Sequence, residues 1–218
     1  MNALSGRRPE ILVRTEHGLA LAARVWRLPS PTLAISSAPL GGGLGLRQWI
    51  LNVQVPPDYD CDEPQNHLGK LAAEAGLAGP GAGMMTAVDV RTASTVSWEG
   101  VDVDATVGVR APQWAAAAEP GVVTRPAVGT INMVIALPER LSDAALVNAV
   151  STATEAKTQA LWDAGIGGTG TATDALCILC PPDGTAHPYG GPRSTWGARL
   201  ARAVHRAVLA GFPPPAVA

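Results

Sequence analysis

Hydrophobic and polar residues alternate along much of the first half of the chain, which is the pattern of strands with one buried face. The segments EILVRTEHGLALAARVWRL and TLAISSA predict two or three strands, with turns at residues 17–18 and 29–31. A glycine-rich loop leads into a strand over residues 49–55, and further strand patterns occur in MMTAVDV, STVSW and VDVDATVGV. The first half is therefore predicted to be rich in β-structure.

Three other segments repeat their apolar residues at helical spacing. The first follows an acidic pair before Pro64 and is predicted to end at Gly76. The second is predicted to run for about 22 residues after the N-cap Ser142, with Gly165 just beyond its last turn. The third lies near the C-terminus, with one apolar face and exposed arginines. Apolar strands, GTINMVIAL and ALCILC, lie before and after the second helix.

A chain of 218 residues fits one domain with a substantial core. We predict a single α/β (α+β) layered domain over residues 1–218, with a mixed, largely antiparallel sheet and helices packed against it. The Pro- and Ala-rich residues 111–128 are expected to form a flexible excursion, and residues 212–218 a loose tail.

Charge and hydropathy argue against several classes of partner. The formal net charge is −2 and there is no basic run, so nucleic acid is not expected as a partner. No apolar run approaches the roughly 20 residues that span a bilayer, and the first residues lack an export signal, so no membrane association is expected. Three cysteines cannot all pair with one another, which favours a reducing compartment and a cytoplasmic location.

Lysine is rare in this chain, since Lys70 and Lys157 are the only two among sixteen Lys and Arg residues. Lys157 lies on the apolar stripe of the long helix, one turn from both Ala153 and Leu161. This position predicts a cation at the edge of a site, where it holds a carboxylate or polarises an amide. The alternative is a lysine that extends to the surface or pairs with one structural acid.

The loop GIGGTGTATD connects the long helix to the last strand. Its glycines expose backbone amides, and Thr169, Thr171 and Thr173 add hydroxyls beside Asp174, which suits an anion or a developing oxyanion. Asp174 is a candidate general base for amide hydrolysis. The alternative is an ordinary polar connection in which Asp174 accepts hydrogen bonds from backbone donors.

Cysteine and histidine give a weaker signal. Cys177 and Cys180 have CxxC spacing but lie in an apolar strand, so we interpret them as buried structural thiols rather than as part of a zinc site. His187 lies in a Gly- and Pro-rich loop and is a candidate substrate-binding residue. No metal site is predicted, and no bound cofactor is required.

Six motifs occur in an order and spacing that resemble the adenosylcobinamide amidohydrolase family over residues 33–210. They are SSAPLGGG, WILNVQV, MMTAVDV, GTINMV, TEAKTQAL and GTGTATDAL. The resemblance implies hydrolysis of the aminopropanol amide of adenosylcobinamide to adenosylcobyric acid, with a corrinoid as the small-molecule substrate and its cobalt as part of that substrate. The residues that the motifs carry over are Asn52, Thr130, Asn132, Thr154, Glu155, Lys157, Thr158, Gly170, Thr171, Thr173 and Asp174.

Within this hypothesis the mechanism has open alternatives. Asp174 or Glu155 is the base that activates water, and Lys157 or backbone amides stabilise the oxyanion. Alternatively, Thr171 or Thr173 attacks the amide and forms a covalent intermediate. Neither the identity of the base nor the oligomeric state follows from the sequence.

The chain departs from the family pattern at two places. Leu40 and Gly41 stand where the family has Asn before paired glycines, and Arg193 and Ser194 stand where it has a His-Thr pair. A corrinoid-binding protein that has lost hydrolysis is therefore the alternative function. A redox or metal protein built on the CxxC pair is a third class.

Overall fold

The computed structural model describes residues 8–118 and 129–212. Within these ranges the chain forms eight strands and three α-helices, together with a short 3-10 helix over Val90–Thr92. The strands are β1 (Glu10–Glu16), β2 (Leu19–Ser36), β3 (Gly43–Gln54), β4 (Gly81–Thr86), β5 (Ser94–Trp98), β6 (Val101–Val107), β7 (Ile131–Ala136) and β8 (Ala175–Cys180). The helices are α1 (Pro64–Glu74), α2 (Asp143–Asp163) and α3 (Thr195–Ala210).

All eight strands belong to one sheet, in the order β4-β3-β2-β8-β7-β6-β5, with β1 paired to β2. The β3–β4 and β7–β8 pairs are parallel, and every other pair in the described sheet is antiparallel. The predicted mixed, largely antiparallel sheet in a layered α+β fold is therefore confirmed.

The sheet folds over so that its two halves face each other. Asn132 on β7 donates a hydrogen bond to Asn52 on β3, although two strands separate β3 from β7 in the sheet order. Small residues on the inner face, such as Ala34, Ala82 and Ala136, allow this close approach. The inner core therefore lies between two layers of the same sheet.

The helices cover the outer faces of this folded sheet. Leu68 and Ala72 of α1 pack with residues of β2 and β3. α2 and α3 together pack on β6, β7 and β8 and form the largest hydrophobic cluster. α2 begins as predicted, because the Ser142 hydroxyl accepts a hydrogen bond from the backbone N–H of Ala145. Gly165 follows its end with a φ of 74°.

Several predicted boundaries need correction. The predicted turn at residues 29–31 does not end a strand, because β2 continues through it with a shift in its register between Arg27 and Thr32. Pro29 and Pro31 have no N–H to donate, so they interrupt pairing while the backbone stays extended. β3 begins at Gly43, earlier than expected, and the AVDV part of MMTAVDV leaves the sheet after β4.

The turn at residues 17–18 is confirmed, with positive φ angles at His17 and Gly18. The predicted excursion falls in part outside the described residues, which stop at 118 and resume at 129. The predicted tail lies outside them from residue 213 onward.

Candidate active site

A cavity of about 460 Å³ opens at one end of the folded sheet. Val55 follows β3 and Thr86 ends β4, while Thr130 precedes β7 and Ala175 begins β8, and all four line the cavity. Because β3 and β4 end where β7 and β8 begin, segments that are far apart in sequence share one wall. The glycine- and threonine-rich loop before β8 contributes Thr171 and Thr173 to it.

The carboxylate of Asp174 organises this loop. Its Oδ1 accepts hydrogen bonds from the Thr171 hydroxyl at 2.6 Å and the Ile131 backbone N–H at 2.9 Å. Its Oδ2 accepts from Lys157 Nζ at 2.5 Å and from the Thr171 backbone N–H at 3.1 Å. A carboxylate has about four lone-pair positions that can accept hydrogen bonds, and here four donors occupy them. Asp174 therefore fixes the loop, and it faces one reactive group, the Thr171 hydroxyl.

Lys157 and Asp174 form a largely buried ion pair, with side chains only 8% and 13% exposed. The predicted inward position of Lys157 on α2 is what allows the contact. The Lys157 ammonium balances the charge of the carboxylate, which would otherwise be costly to bury. One of the three donors of this ammonium is thereby committed to Oδ2.

Gly170 is required by the same contact. A Cβ atom at this position would lie 2.3 Å from Asp174 Oδ2 and 2.5 Å from Lys157 Nζ. No side chain fits between the loop backbone and the ion pair, so this close approach requires glycine at position 170.

Thr171 and Thr173 both line the cavity, but their hydroxyls have different partners. The Thr171 hydroxyl donates to the Asp174 carboxylate, which is a proton acceptor. The Thr173 hydroxyl is hydrogen-bonded to that of the buried Thr130 and also lies within reach of the Gly129 carbonyl. Of the two, only Thr171 has a base within hydrogen-bond distance among these contacts.

Asn52 and Asn132 are buried behind the cavity and do not line it. Asn132 Nδ2 donates to Asn52 Oδ1 and to the carbonyl of Met85, each at 2.9 Å. Asn52 Nδ2 donates to the hydroxyl of Thr106 at 3.1 Å. This network ties β3, β6 and β7 together below the cavity wall, and sequence reasoning missed Thr106 because it stands in no recognised motif.

Three further predicted residues, all on α2, do not line the cavity. Thr154 and Glu155 are exposed on α2, and the Thr154 hydroxyl donates back to the Val150 carbonyl in its own helix. Residues 155 and 157 are two positions apart on a helix, about 200° around the axis, so an inward Lys157 directs Glu155 outward. Thr158 supports the loop by donating to the carbonyl of Thr169 at 3.2 Å.

His187 lies at the opposite end of the sheet, where its backbone pairs with that of Leu141 after β7. β7 and β8 each have six residues, so this end is about 20 Å from Asp174 at about 3.3 Å per residue. His187 therefore does not line the cavity that holds Thr171, and its role in substrate binding stays a prediction. A loop histidine gave no signal of which strand ends it would face.

The loop after β3 supplies cavity residues that the sequence did not single out. Asp58, Tyr59, Asp60 and Cys61 all line the wall. Burial raises the pKa of the Tyr59 hydroxyl, and a hydrogen bond with Cys61 adds to this effect. The acidic run DYDCDE was the available signal. Within the described ranges, no group of three or more His, Cys, Asp or Glu side chains is placed to hold a metal ion.

Comparison with known proteins identifies the family. The family model described as adenosylcobinamide amidohydrolase matches residues 11–213. The chain belongs to this family. It is therefore an amidohydrolase. The motif GTGTATD lies in the cavity loop, and the motif TEAKT lies on α2.

Two curated members of the adenosylcobinamide amidohydrolase family are similar along most of the chain. The protein of that name from Methanosarcina mazei is 30% identical over 81% of this chain and 88% of its own length. The protein of that name from Halobacterium salinarum is 32% identical over 86% of this chain and 84% of its own length. The PH0078 protein from Pyrococcus horikoshii has a TM-score of 0.49 at 11% identity, covering 94% of this chain and 82% of its own, and a likeness at this level carries no argument.

Three of the four residues at the departures from the family pattern have defined contacts, and nothing in the structure explains Arg193. Leu40 pairs with Gly83 and packs on the α1 side of the sheet, while a Cβ on Gly41 would meet the Gly81 carbonyl at 1.9 Å. The Ser194 hydroxyl caps α3 by accepting from the Gly197 N–H, a role that Thr also fills. Ser194 is joined to Gly191 near the end of the sheet that holds His187.

Among the residues that the structure describes, no helix combines the length and the hydropathy that a membrane span needs.

Proposed function

We propose that this protein hydrolyses the amide that joins 1-amino-2-propanol to the corrin side chain of adenosylcobinamide, giving adenosylcobyric acid, in salvage of cobalamin precursors in the cytoplasm. Family membership supports the substrate. The observation that carries the choice of site is the hydrogen bond from the Thr171 hydroxyl to Asp174 on the cavity wall. No resident cofactor takes part in the proposal, and the cobalt arrives and leaves within the substrate.

In the proposed mechanism Thr171 is the nucleophile. Its Oγ1 attacks the amide carbon while its proton passes to Asp174 Oδ1, 2.6 Å away. Lys157 holds Oδ2 and orients the carboxylate for this transfer. Asp174 then gives this proton to the leaving nitrogen as the tetrahedral intermediate collapses, which releases 1-amino-2-propanol and leaves the corrin side chain as an ester on Thr171. Water then hydrolyses that ester and restores the hydroxyl.

The contacts of Asp174 favour this route over direct attack by water. A carboxylate that already accepts four hydrogen bonds must release one donor before it can accept from water. Release of the Thr171 proton requires no such exchange, because the hydroxyl is already bound to Oδ1. Glu155, the other proposed base, is exposed on the outer face of α2.

The test is release of 1-amino-2-propanol from adenosylcobinamide by purified wild type, Thr171→Val, Thr171→Ser and Thr173→Val. We expect Thr171→Val to lower kcat by about 10³-fold or more, because it removes the nucleophile while keeping the shape of the side chain. Thr171→Ser should retain measurable activity. Thr173→Val is the matched control, since its hydroxyl has no carboxylate partner, and it should lose less than about tenfold.

Hydroxylamine separates the two routes. An ester on Thr171 would partition to the corrin hydroxamate, whereas direct attack by water would give only the acid. Hydrolysis without hydroxamate, together with an active Thr171→Val variant, would contradict the covalent route and leave the amidohydrolase function intact. Binding of adenosylcobinamide without any amine release by the wild type would favour the non-hydrolysing corrinoid-binding alternative.

A further inference from the structure

The cavity is too small for the whole proposed substrate. Pockets of about 300–1,000 Å³ enclose drug-sized ligands, and this cavity of about 460 Å³ lies at the lower end of that range. A corrin with its adenosyl ligand and amide side chains is considerably larger than a drug-sized molecule. The cavity therefore accommodates the scissile side chain, and the macrocycle has to rest on the protein surface beside the opening.

Trp114 is exposed beside that opening. Trp114 is 51% exposed, and the preceding Ala111 and Gln113 line the cavity. Neither the family motifs nor the proposed mechanism uses it. About half of this tryptophan is open to solvent, which leaves a large apolar surface next to the polar loop that carries Thr171.

The backbone holds Trp114 in register with the catalytic loop. Gln113 and Gly170 form a bridge, in which the Gln113 N–H donates to the Gly170 carbonyl at 2.9 Å. The Thr169 N–H donates to the Gln113 carbonyl at 2.8 Å. On the other side of Trp114, the Ala115 N–H donates to the Thr169 hydroxyl at 2.9 Å. Trp114 is thus fixed between two residues that are bonded to the loop carrying Thr171 and Asp174.

We propose that Trp114 is the platform on which the corrin macrocycle of the substrate rests while its amide side chain enters the cavity. This inference rests on the proposed function. The corrin is a broad, conjugated and methyl-bearing ring, and a tryptophan offers a large, rigid apolar face for it at little conformational cost. Anchoring the ring outside the cavity would place the side chain next to Thr171 without any contact between Trp114 and the scissile amide.

The experiment compares Trp114→Ala with Trp162→Ala, which removes another exposed tryptophan, 72% exposed on α2 and outside the cavity wall. For adenosylcobinamide hydrolysis, Trp114→Ala should raise KM by about tenfold or more, in line with stacking on an aromatic side chain, and change kcat by less than about threefold. Trp162→Ala should leave both constants unchanged. Trp114→Phe should restore most of the loss, because it keeps an aromatic face.

Binding of the product adenosylcobyric acid, measured by calorimetry, is the second readout. Trp114→Ala should weaken it about as much as it raises KM, whereas removal of a merely structural residue would lower kcat and the melting temperature instead. An unchanged KM and product affinity in a folded Trp114→Ala variant would overturn the inference and leave the proposed function standing. If the wild type binds corrinoid through Trp114 but does not hydrolyse adenosylcobinamide, only the proposed function would be contradicted.

Discussion

At the scale of single residues, the site depends on how the donors around one carboxylate are arranged. Asp174 accepts two hydrogen bonds from Thr171, one from its hydroxyl and one from its backbone N–H, and two more from Ile131 and Lys157. The sequence offered two interpretations of Asp174, as a base or as an acceptor for backbone donors. The structure shows Asp174 as an acceptor for backbone donors, and its contact with the Thr171 hydroxyl is the observation on which the proposed role as a base rests.

Lys157→Met tests the buried ion pair. The variant keeps the length of the side chain but leaves the Asp174 charge largely buried without its cation, so we expect a loss of unfolding free energy of about 3 kcal/mol. Chemical denaturation measures it, and the hydrolysis assay should show a loss of kcat because the carboxylate is no longer oriented.

Lys70→Met is the control, since the Lys70 side chain is 75% exposed and 4.0 Å from Glu74. Its effect should stay within about 0.5 kcal/mol. Equal stabilities for the two lysine variants would contradict the assignment of Lys157 to a buried pair.

At the scale of elements, β8 shows why CxxC spacing is not a redox or metal motif in a strand. Side chains in a strand alternate between faces, so residues three apart point to opposite sides of the sheet. Cys177 packs in the inner core and Cys180 in the outer core below α2 and α3. Both thiols are free and buried, as the apolar run ALCILC predicted.

Thiol alkylation tests this arrangement. Burial raises the pKa of Cys177 to about 12 and also raises the pKa of Cys180, while Cys61 is exposed on the cavity wall. Since the thiolate is the reactive form, folded protein at pH 8 should take up one equivalent of iodoacetamide, at Cys61. Unfolded protein should take up three, one for each free cysteine.

The raised pKa of Cys177 also predicts how the unfolding free energy changes with pH. Unfolded thiols ionise near pH 9, whereas Cys177 stays protonated until about pH 12. The unfolded state therefore loses protons first, and the unfolding free energy should fall as pH rises from about 9 towards 12. In the alkylation experiment, rapid reaction of two or three thiols with iodoacetamide in the folded protein would contradict the burial of β8.

At the scale of the whole molecule, the folded sheet creates two distinct ends. One holds the cavity with Thr171 and Asp174, and the other holds His187 and the start of α3. Strand direction decides which residues meet, because the parallel β7 and β8 both begin at the cavity end. His187 packs edge-on against Trp196 and belongs to the far end.

Two substitutions away from the cavity test this division. His187→Ala and Glu155→Gln should each leave kcat/KM for adenosylcobinamide within about threefold of wild type, because neither side chain reaches the cavity. Thr171→Val in the same assay provides the inactive reference. A loss of about 100-fold or more in either variant would show that the corresponding residue takes part in the site after all.

Much of the fold and part of the candidate site could be predicted from the sequence. Strand alternation, the cap at Ser142 and the glycine after α2 are local signals, and the periodicity of α2 placed Lys157 on its buried face. The loop motif selected Thr171 and Asp174. Local signals act between residues a few positions apart, which is why these predictions could be made from one sequence.

Tertiary structure decided the rest. The strand ends and loops that meet when the sheet folds over decide which residues surround the cavity. They place Asn52 and Asn132 behind the cavity, His187 at the other end of the sheet and Trp114 beside the opening. Such contacts join residues tens of positions apart, and no local pattern encodes them. The sequence alone determined the chemical groups and their local elements, because these follow from short-range periodicity and capping. Only packing of the whole chain determined their neighbours.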